Sequence, residues 1–115
     1  KAYLNQRADK KAMNDLQTLA KDTRTLYGAE AKYLVAQQLY KAGEYTAAEK
    51  EILNFIDQST PHAYWLARSF VLLSDVYVAM DKKLDARQYL LSLQQNYHAD
   101  DDIEQMINER LEKLK

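Results

Sequence analysis

The stretch Val35-Ala36-Gln37-Gln38-Leu39-Tyr40-Lys41-Ala42-Gly43-Glu44-Tyr45-Thr46-Ala47-Ala48 decides the fold. Before the glycine, Ala31, Val35, Ala36 and Leu39 recur at the three- and four-residue spacing that lines one face of a helix. Gly43 then supplies the left-handed backbone conformation in which helices commonly end. After it a second apolar series begins, Ala48, Ile52, Leu53, Phe55 and Ile56. Two helices joined by so short a turn must fold back on one another. The predicted spans are Ala29–Ala42 and Thr46–Asp57, with a helix boundary near Gly28.

Downstream the same pattern returns. Ser59-Thr60-Pro61 places a capping hydroxyl before a proline suited to the first helical position. A third helix is predicted from Pro61 to Met80, apolar over more than one stripe and so expected to meet neighbours on two sides. The polar turn Asp81-Lys82-Lys83 leads to a fourth helix, Leu84–Asn96, carrying Ala86, Leu90, Leu91 and Leu93. Ala36 matches Ser74, Ala48 matches Ala86 and Phe55 matches Leu93, each pair 38 residues apart. A backward match of Ala12, Leu16 and Leu19 to Ala48, Ile52 and Phe55, 36 residues on, makes residues 1–26 the remainder of an earlier unit.

These positions resemble the tetratricopeptide repeat: large-small apolar pairs (Val35-Ala36, Leu73-Ser74), then Leu39 or Tyr77, a Gly43-Glu44-Tyr45 turn, and alanine followed by large apolar residues (Ala48, Ile52, Phe55; Ala86, Leu90, Leu93). Departures are Asp81 in place of the turn glycine, no helix-ending proline at Thr60 or His98, and a period longer than the family's roughly 34 residues. The resemblance implies an all-α, right-handed α-solenoid of stacked antiparallel hairpins. One domain is expected: residues 1–26 from a truncated repeat, hairpins over 29–57 and 61–97, and a capping helix over 100–115. That last helix follows Asp100-Asp101-Asp102, turns Ile103, Met106, Ile107 and Leu111 inward, and is expected to keep Glu104, Asn108 and Arg110 outward.

By the same resemblance the first helix of each hairpin lines a concave groove. Tyr33, Gln37, Tyr40 and Lys41 would face a ligand from one hairpin; Arg68, Val71, Leu72, Asp75 and Ala79 would do so from the next. Tyrosines mixed with Arg and Lys suit a peptide or helix of another protein. The basic-and-Asn clamp that some family members close on a terminal carboxylate is not reproduced. A rival expectation is self-association, a possible homo-oligomer formed through an apolar edge at Tyr3, Leu4, Met13 and Leu16. The Tyr64-Trp65-Leu66-Ala67 start and the Leu93-x-x-x-Tyr97 end are similar to repeats of bacterial cell-envelope scaffolds. That likeness leans towards a periplasmic or outer-membrane-associated parent protein, with the cytoplasm as the alternative.

Composition restricts the chemistry. The 115 residues hold two glycines, one proline and no cysteine, at a net charge of −1. Few turn formers favour long helices. Without cysteine there is no disulfide, thiolate metal site or thiol catalysis. The near-neutral charge provides no field for nucleic acid, and no apolar run reaches the roughly 18 residues of a membrane span. No catalytic set, cofactor site or phosphate-binding glycine loop is expected. Of the two histidines, His62 opens the third helix. His98 lies beside Asp100 and Asp102, where helix capping accounts for the acids without a metal.

Overall fold

The computed structural model describes residues 15, 17–58 and 60–114. They are all-α, with no strand among them. Among the described residues five helices have both ends defined: α1 (Leu26–Lys41), α2 (Tyr45–Asp57), α3 (Ala63–Ala79), α4 (Lys83–Asn96) and α5 (Ile103–Lys113). The expected edge residues Tyr3, Leu4, Met13 and Leu16, like most of the expected first unit, lie outside the described residues.

α1 starts earlier than the position of Gly28 implies, because Thr25 caps it. The Thr25 hydroxyl accepts from the Gly28 amide at 2.9 Å and donates to the Asp22 carbonyl at 3.0 Å. Gly28 is thus inside the first turn, and its glycine serves close approach. A β-carbon there would sit 1.8 Å from the Asp22 carbonyl oxygen.

The ends of α1 and α3 are built alike. In α1, Gly43 at φ 80° donates to the Tyr40 carbonyl, and Glu44 donates to Leu39. In α3, Asp81 at φ 62° donates to Val78, and Lys82 donates to Tyr77. Both are Schellman turns, which satisfy carbonyls that the helix leaves open. Every member of the second lies 38 residues after its counterpart. Asp81 therefore does occupy the glycine's place, in the glycine's conformation.

The pattern positions are the core. Val35, Ala36, Ala48, Ile52 and Phe55 are each 1% exposed or less, and Leu73, Ser74, Ala86, Leu90 and Leu93 are at 7% or below. Tyr33, Ala36, Ala48, Ile52, Leu73 and Val76 gather in one cluster between α1, α2 and α3. Ala67, Val71, Leu90, Leu93, Ile103 and Ile107 form a second between α3, α4 and α5. Ser74, buried in this setting, satisfies its hydroxyl on the Val71 carbonyl at 2.6 Å. Leu53 and Leu91, expected inward, are each 37% exposed. They occupy equivalent places just beyond the inner face, where a helix of this width turns away from its neighbours.

Contacts define the directions. Thr23 with Gln58, Lys32 with Glu51 and Tyr40 with Tyr45 run in opposite order along the two segments, so α1 and α2 are antiparallel. Tyr33 meets Trp65 and Arg68, while Thr23 meets Thr60, in rising order, so α1 and α3 are parallel neighbours. The Tyr64–Asp102 and Asp75–Arg110 bonds set α5 parallel to α3 in the same way. α3 also packs on α2 and α4, and α4 on α5.

The junction before α3 departs from the sequence expectation. The helix begins at Ala63, with His62 at the N-cap and no side-chain capping bond. The Thr60 hydroxyl accepts from the His62 amide at 3.2 Å, as the expected capping hydroxyl would, and also donates to the Thr23 carbonyl at 2.6 Å; the His62 ring Nε2 lies 3.0 Å from the Arg24 carbonyl. Both side chains tie the α2–α3 connection to the segment before α1. A buried hydroxyl needs an acceptor, and Thr60 finds it there.

Three substitutions test this reading by urea denaturation. Gly28→Ala is expected to cost more than about 2 kcal/mol, since its new methyl meets backbone. Gly43→Ala is expected to cost about 1 kcal/mol, from the positive φ alone, because the space around it is open. Asp81→Gly is expected to raise stability by up to about 1 kcal/mol, and a clear loss there would contradict a turn equivalent to that at Gly43.

Candidate functional site

The parallel packing of α1, α3 and α5 brings one side-chain row of each to a common cleft of about 170 Å³. α1 contributes Tyr33, Gln37, Tyr40 and Lys41; α3 contributes Arg68, Val71, Leu72 and Asp75; α5 contributes Met106 and Arg110. All seven of the foremost groove residues, Tyr33, Gln37, Tyr40, Lys41, Arg68, Leu72 and Asp75, thus line a single recess. Val71 joins them, whereas Ala79 does not line it. A wider hollow of about 730 Å³ adjoins it, sharing Tyr40, Asp75, Met106 and Arg110.

The residues differ in what they can offer. Tyr33 and Leu72 are 6% and 5% exposed and belong to the core, so they form wall and floor. Gln37, Tyr40, Arg68 and Asp75 are half-buried, and Lys41 is exposed. The Gln37 amide donates to the Tyr33 hydroxyl at 3.4 Å. Tyr40 stacks at a tilt on Tyr45, with ring centres 5.7 Å apart. Burial, and then the Asp75 charge, push the Tyr40 pKa above the usual phenol value.

Arg110 corrects the sequence expectation. It does not face outward but reaches across to α3, donating from Nε to Asp75 Oδ1 at 2.9 Å and from Nη2 to Asp75 Oδ2 at 3.0 Å. Its Nη1 donates to the Met106 carbonyl at 3.2 Å. The fork-to-fork geometry is the strong form of the Arg–carboxylate pair. Asp75, expected to meet a ligand, is therefore already engaged. The pair stands where the cleft opens into the wider hollow.

Arg68 sits differently. Its guanidinium carbon is 4.9 Å from the Tyr33 ring centre, 5.6 Å from Trp65 and 5.9 Å from Tyr64. These distances are within the range of cation–π attraction. The rings support one another, with Trp65 5.6 Å from Tyr33 and 5.2 Å from Tyr64. Burial works against the Arg68 charge, but the Tyr33 and Tyr64 phenols favour it and prevail, so its pKa lies above the ordinary arginine value. Its Nε is buried and has no hydrogen-bond acceptor among the described residues.

Met106 and Arg110 are not legible as site residues, because they lie beyond Tyr97, outside the two hairpins that carry the repeat pattern. The 38-residue register carries Asp75 to Lys113 and not to Arg110, so the repeat pattern does not point to that residue. At the other end of α5, the Asp101 carboxylate accepts from the Ile103 amide at 3.0 Å and from the Tyr97 hydroxyl. Asp102 accepts from Tyr64 at 2.8 Å, and the His98 ring Nε2 lies 2.9 Å from the Gln95 carbonyl. Among the described residues no three His, Asp or Glu side chains gather as a metal set, and no described helix is long and apolar enough to cross a membrane. Comparison of the chain with family models, with curated protein sequences and with solved structures gives no match.

The Asp75–Arg110 pair has about a quarter to a third of each side chain exposed. Asp75→Asn is accordingly expected to cost about 1–2 kcal/mol in urea denaturation, less than a fully buried pair would. In a double-mutant cycle with Arg110→Met, the second substitution should add little. Additive losses would show that the pair does not couple α5 to α3.

The tyrosines generate a pH dependence. Burial and the Asp101 carboxylate raise Tyr97 to about 12. Burial also raises Tyr64 and Tyr77, with Asp102 and Glu49 as their respective next causes. The unfolded chain would therefore release these protons first, near the ordinary phenol value of about 10. Stability is expected to be complete below that pH and to fall as the pH climbs towards the folded values. Urea midpoints measured across this range check it; a flat profile, or tyrosinate absorbance rising at the free-phenol pH in the folded protein, would contradict it.

Proposed function

We propose that this chain is a non-enzymatic protein-binding module: a right-handed α-solenoid of tetratricopeptide-like hairpins with a peptide or helix of a partner held in the groove of α1, α3 and α5. The observation that carries this reading is the convergence of the seven foremost groove residues on one cleft. Two features support the solenoid part: the paired Schellman turns 38 residues apart and the parallel neighbours α1, α3 and α5. The chemistry of the cleft supports the binding part. Aromatic rings, a guanidinium, an amide and an apolar floor offer an incoming side chain both area and direction, the mixture that concentrates binding energy in interfaces. α5 belongs to the groove on this reading, acting as the first helix of a further unit as well as covering the apolar end of α3 and α4.

An arrayed set of capped peptides, scored by fluorescence polarisation, tests the proposal. Gln37→Ala with Tyr40→Ala is expected to weaken binding at least tenfold, equivalent to about 1.4 kcal/mol. Lys50→Ala with Leu53→Ser, on the exposed side of α2, should leave it unchanged. Loss that follows the α2 pair instead, or an array that binds nothing, overturns the proposal.

A further inference from the structure

The charges of the cleft do not balance. Asp75 is its only carboxylate, and both of its oxygens are committed to Arg110. Arg68 and Lys41 have no carboxylate partner among the described residues. The cleft therefore presents three cations against one anion, with the surplus at Arg68 and Lys41.

Arg68 is also held in a defined pose. Tyr33, Trp65 and Tyr64 surround its guanidinium, and those rings are fixed by mutual contact and by the Tyr64–Asp102 hydrogen bond. Aromatic contact attracts the charge through the rings' quadrupole but accepts no in-plane hydrogen bond. The Tyr33 and Tyr64 hydroxyls help to hold the guanidinium, but both are neutral, and the buried Nε has no acceptor among the described residues. A planar, pre-oriented guanidinium with only neutral neighbours and no carboxylate partner matches a carboxylate better than it matches a neutral amide.

On this basis, and resting on the protein-binding reading above, we infer that Arg68 is the specificity residue of the cleft: it takes the side-chain carboxylate of an Asp or Glu in a partner's peptide or helix. An apolar neighbour of that acid would lie over Val71, Leu72 and Met106, with Lys41 adding attraction at the rim. The space of about 170 Å³ is suited to one large side chain and not to a folded surface. The partner segment is therefore acidic and amphipathic.

The chain's only tryptophan, Trp65, lies in this box and reports directly on it. The probes are capped peptides varied around Leu-Xaa-Xaa-Glu, each with a Gln counterpart, titrated against Trp65 fluorescence and the Arg68 Nε–H resonance. Glu peptides are expected to bind at least tenfold more tightly than their Gln counterparts, as a charged hydrogen bond implies. Arg68→Met, which removes the charge, should abolish the preference; Arg68→Lys, which keeps the charge but loses the planar fork, should retain only part of it. Equal binding of Glu and Gln peptides overturns the carboxylate assignment and leaves the groove reading intact. No peptide perturbing either signal overturns both. Free acetate at peptide-like affinity, with the same two signals, would reduce the site to a simple anion site and overturn the assignment to a partner segment.

Discussion

Close approach between helix backbones is the constraint on which the structure depends. Ala48 and Ala86 are entirely buried, and Ala36 and Ser74 nearly so. Such small residues at the crossings let the helix axes come near enough for the large residues around them to interlock. Ile52 and Leu90, and Phe55 and Leu93, then fill the space that this approach leaves. A longer side chain at any of the four crossings would separate the helices and open voids on both sides. The position of every cleft residue follows, because α1 and α3 present their rows in register only when each is seated on its own partner.

The second tie is electrostatic. Lys32 is 8% exposed and pairs with Glu51 across α1 and α2. The Asp75–Arg110 fork joins α3 to α5. Both link helices that apolar contact already brings together, so their effect is on alignment more than on adhesion. The fork also removes the one negative charge the cleft possesses, which is why its remaining character is cationic.

Legibility in the sequence divides along physical lines. Burial was readable because it is periodic: Val35, Ala36, Ala48, Ile52 and Phe55, with their counterparts 38 residues on, are all core. The turn at Gly43 was readable because few residues accept its backbone, and Asp81 because it stood at the same place. Leu53 and Leu91 misled because hydropathy does not specify how wide the buried face is. At the start of α3 the Thr60 hydroxyl does accept from a nearby amide, that of His62, but its second bond, to Thr23 37 residues away, is one that local rules cannot foresee. Arg110 misled for the same reason. A long polar side chain on a surface helix looks solvated until its opposite number is known, and Asp75 is 35 residues distant. Candidate groove positions on α1 and α3 came through the repeat resemblance; the pairing that distinguishes Arg68 from Arg110 came only with tertiary contacts.

The order of packing has a kinetic consequence. Among the described residues each helix touches only helices one or two places away along the chain, so loops closed during folding are short and the search for partners is local. α3, in contact with all four other helices, is the natural seed onto which both flanks condense. α1, α2, α4 and α5 each touch two of the other described helices, so opening under stress is expected to spare α3 the longest. α5, held by α3 and α4, brings Met106 and Arg110 to the cleft. The cleft thus joins the helix with most neighbours, α3, to two that have fewer, so its α3 wall is the part expected to persist longest.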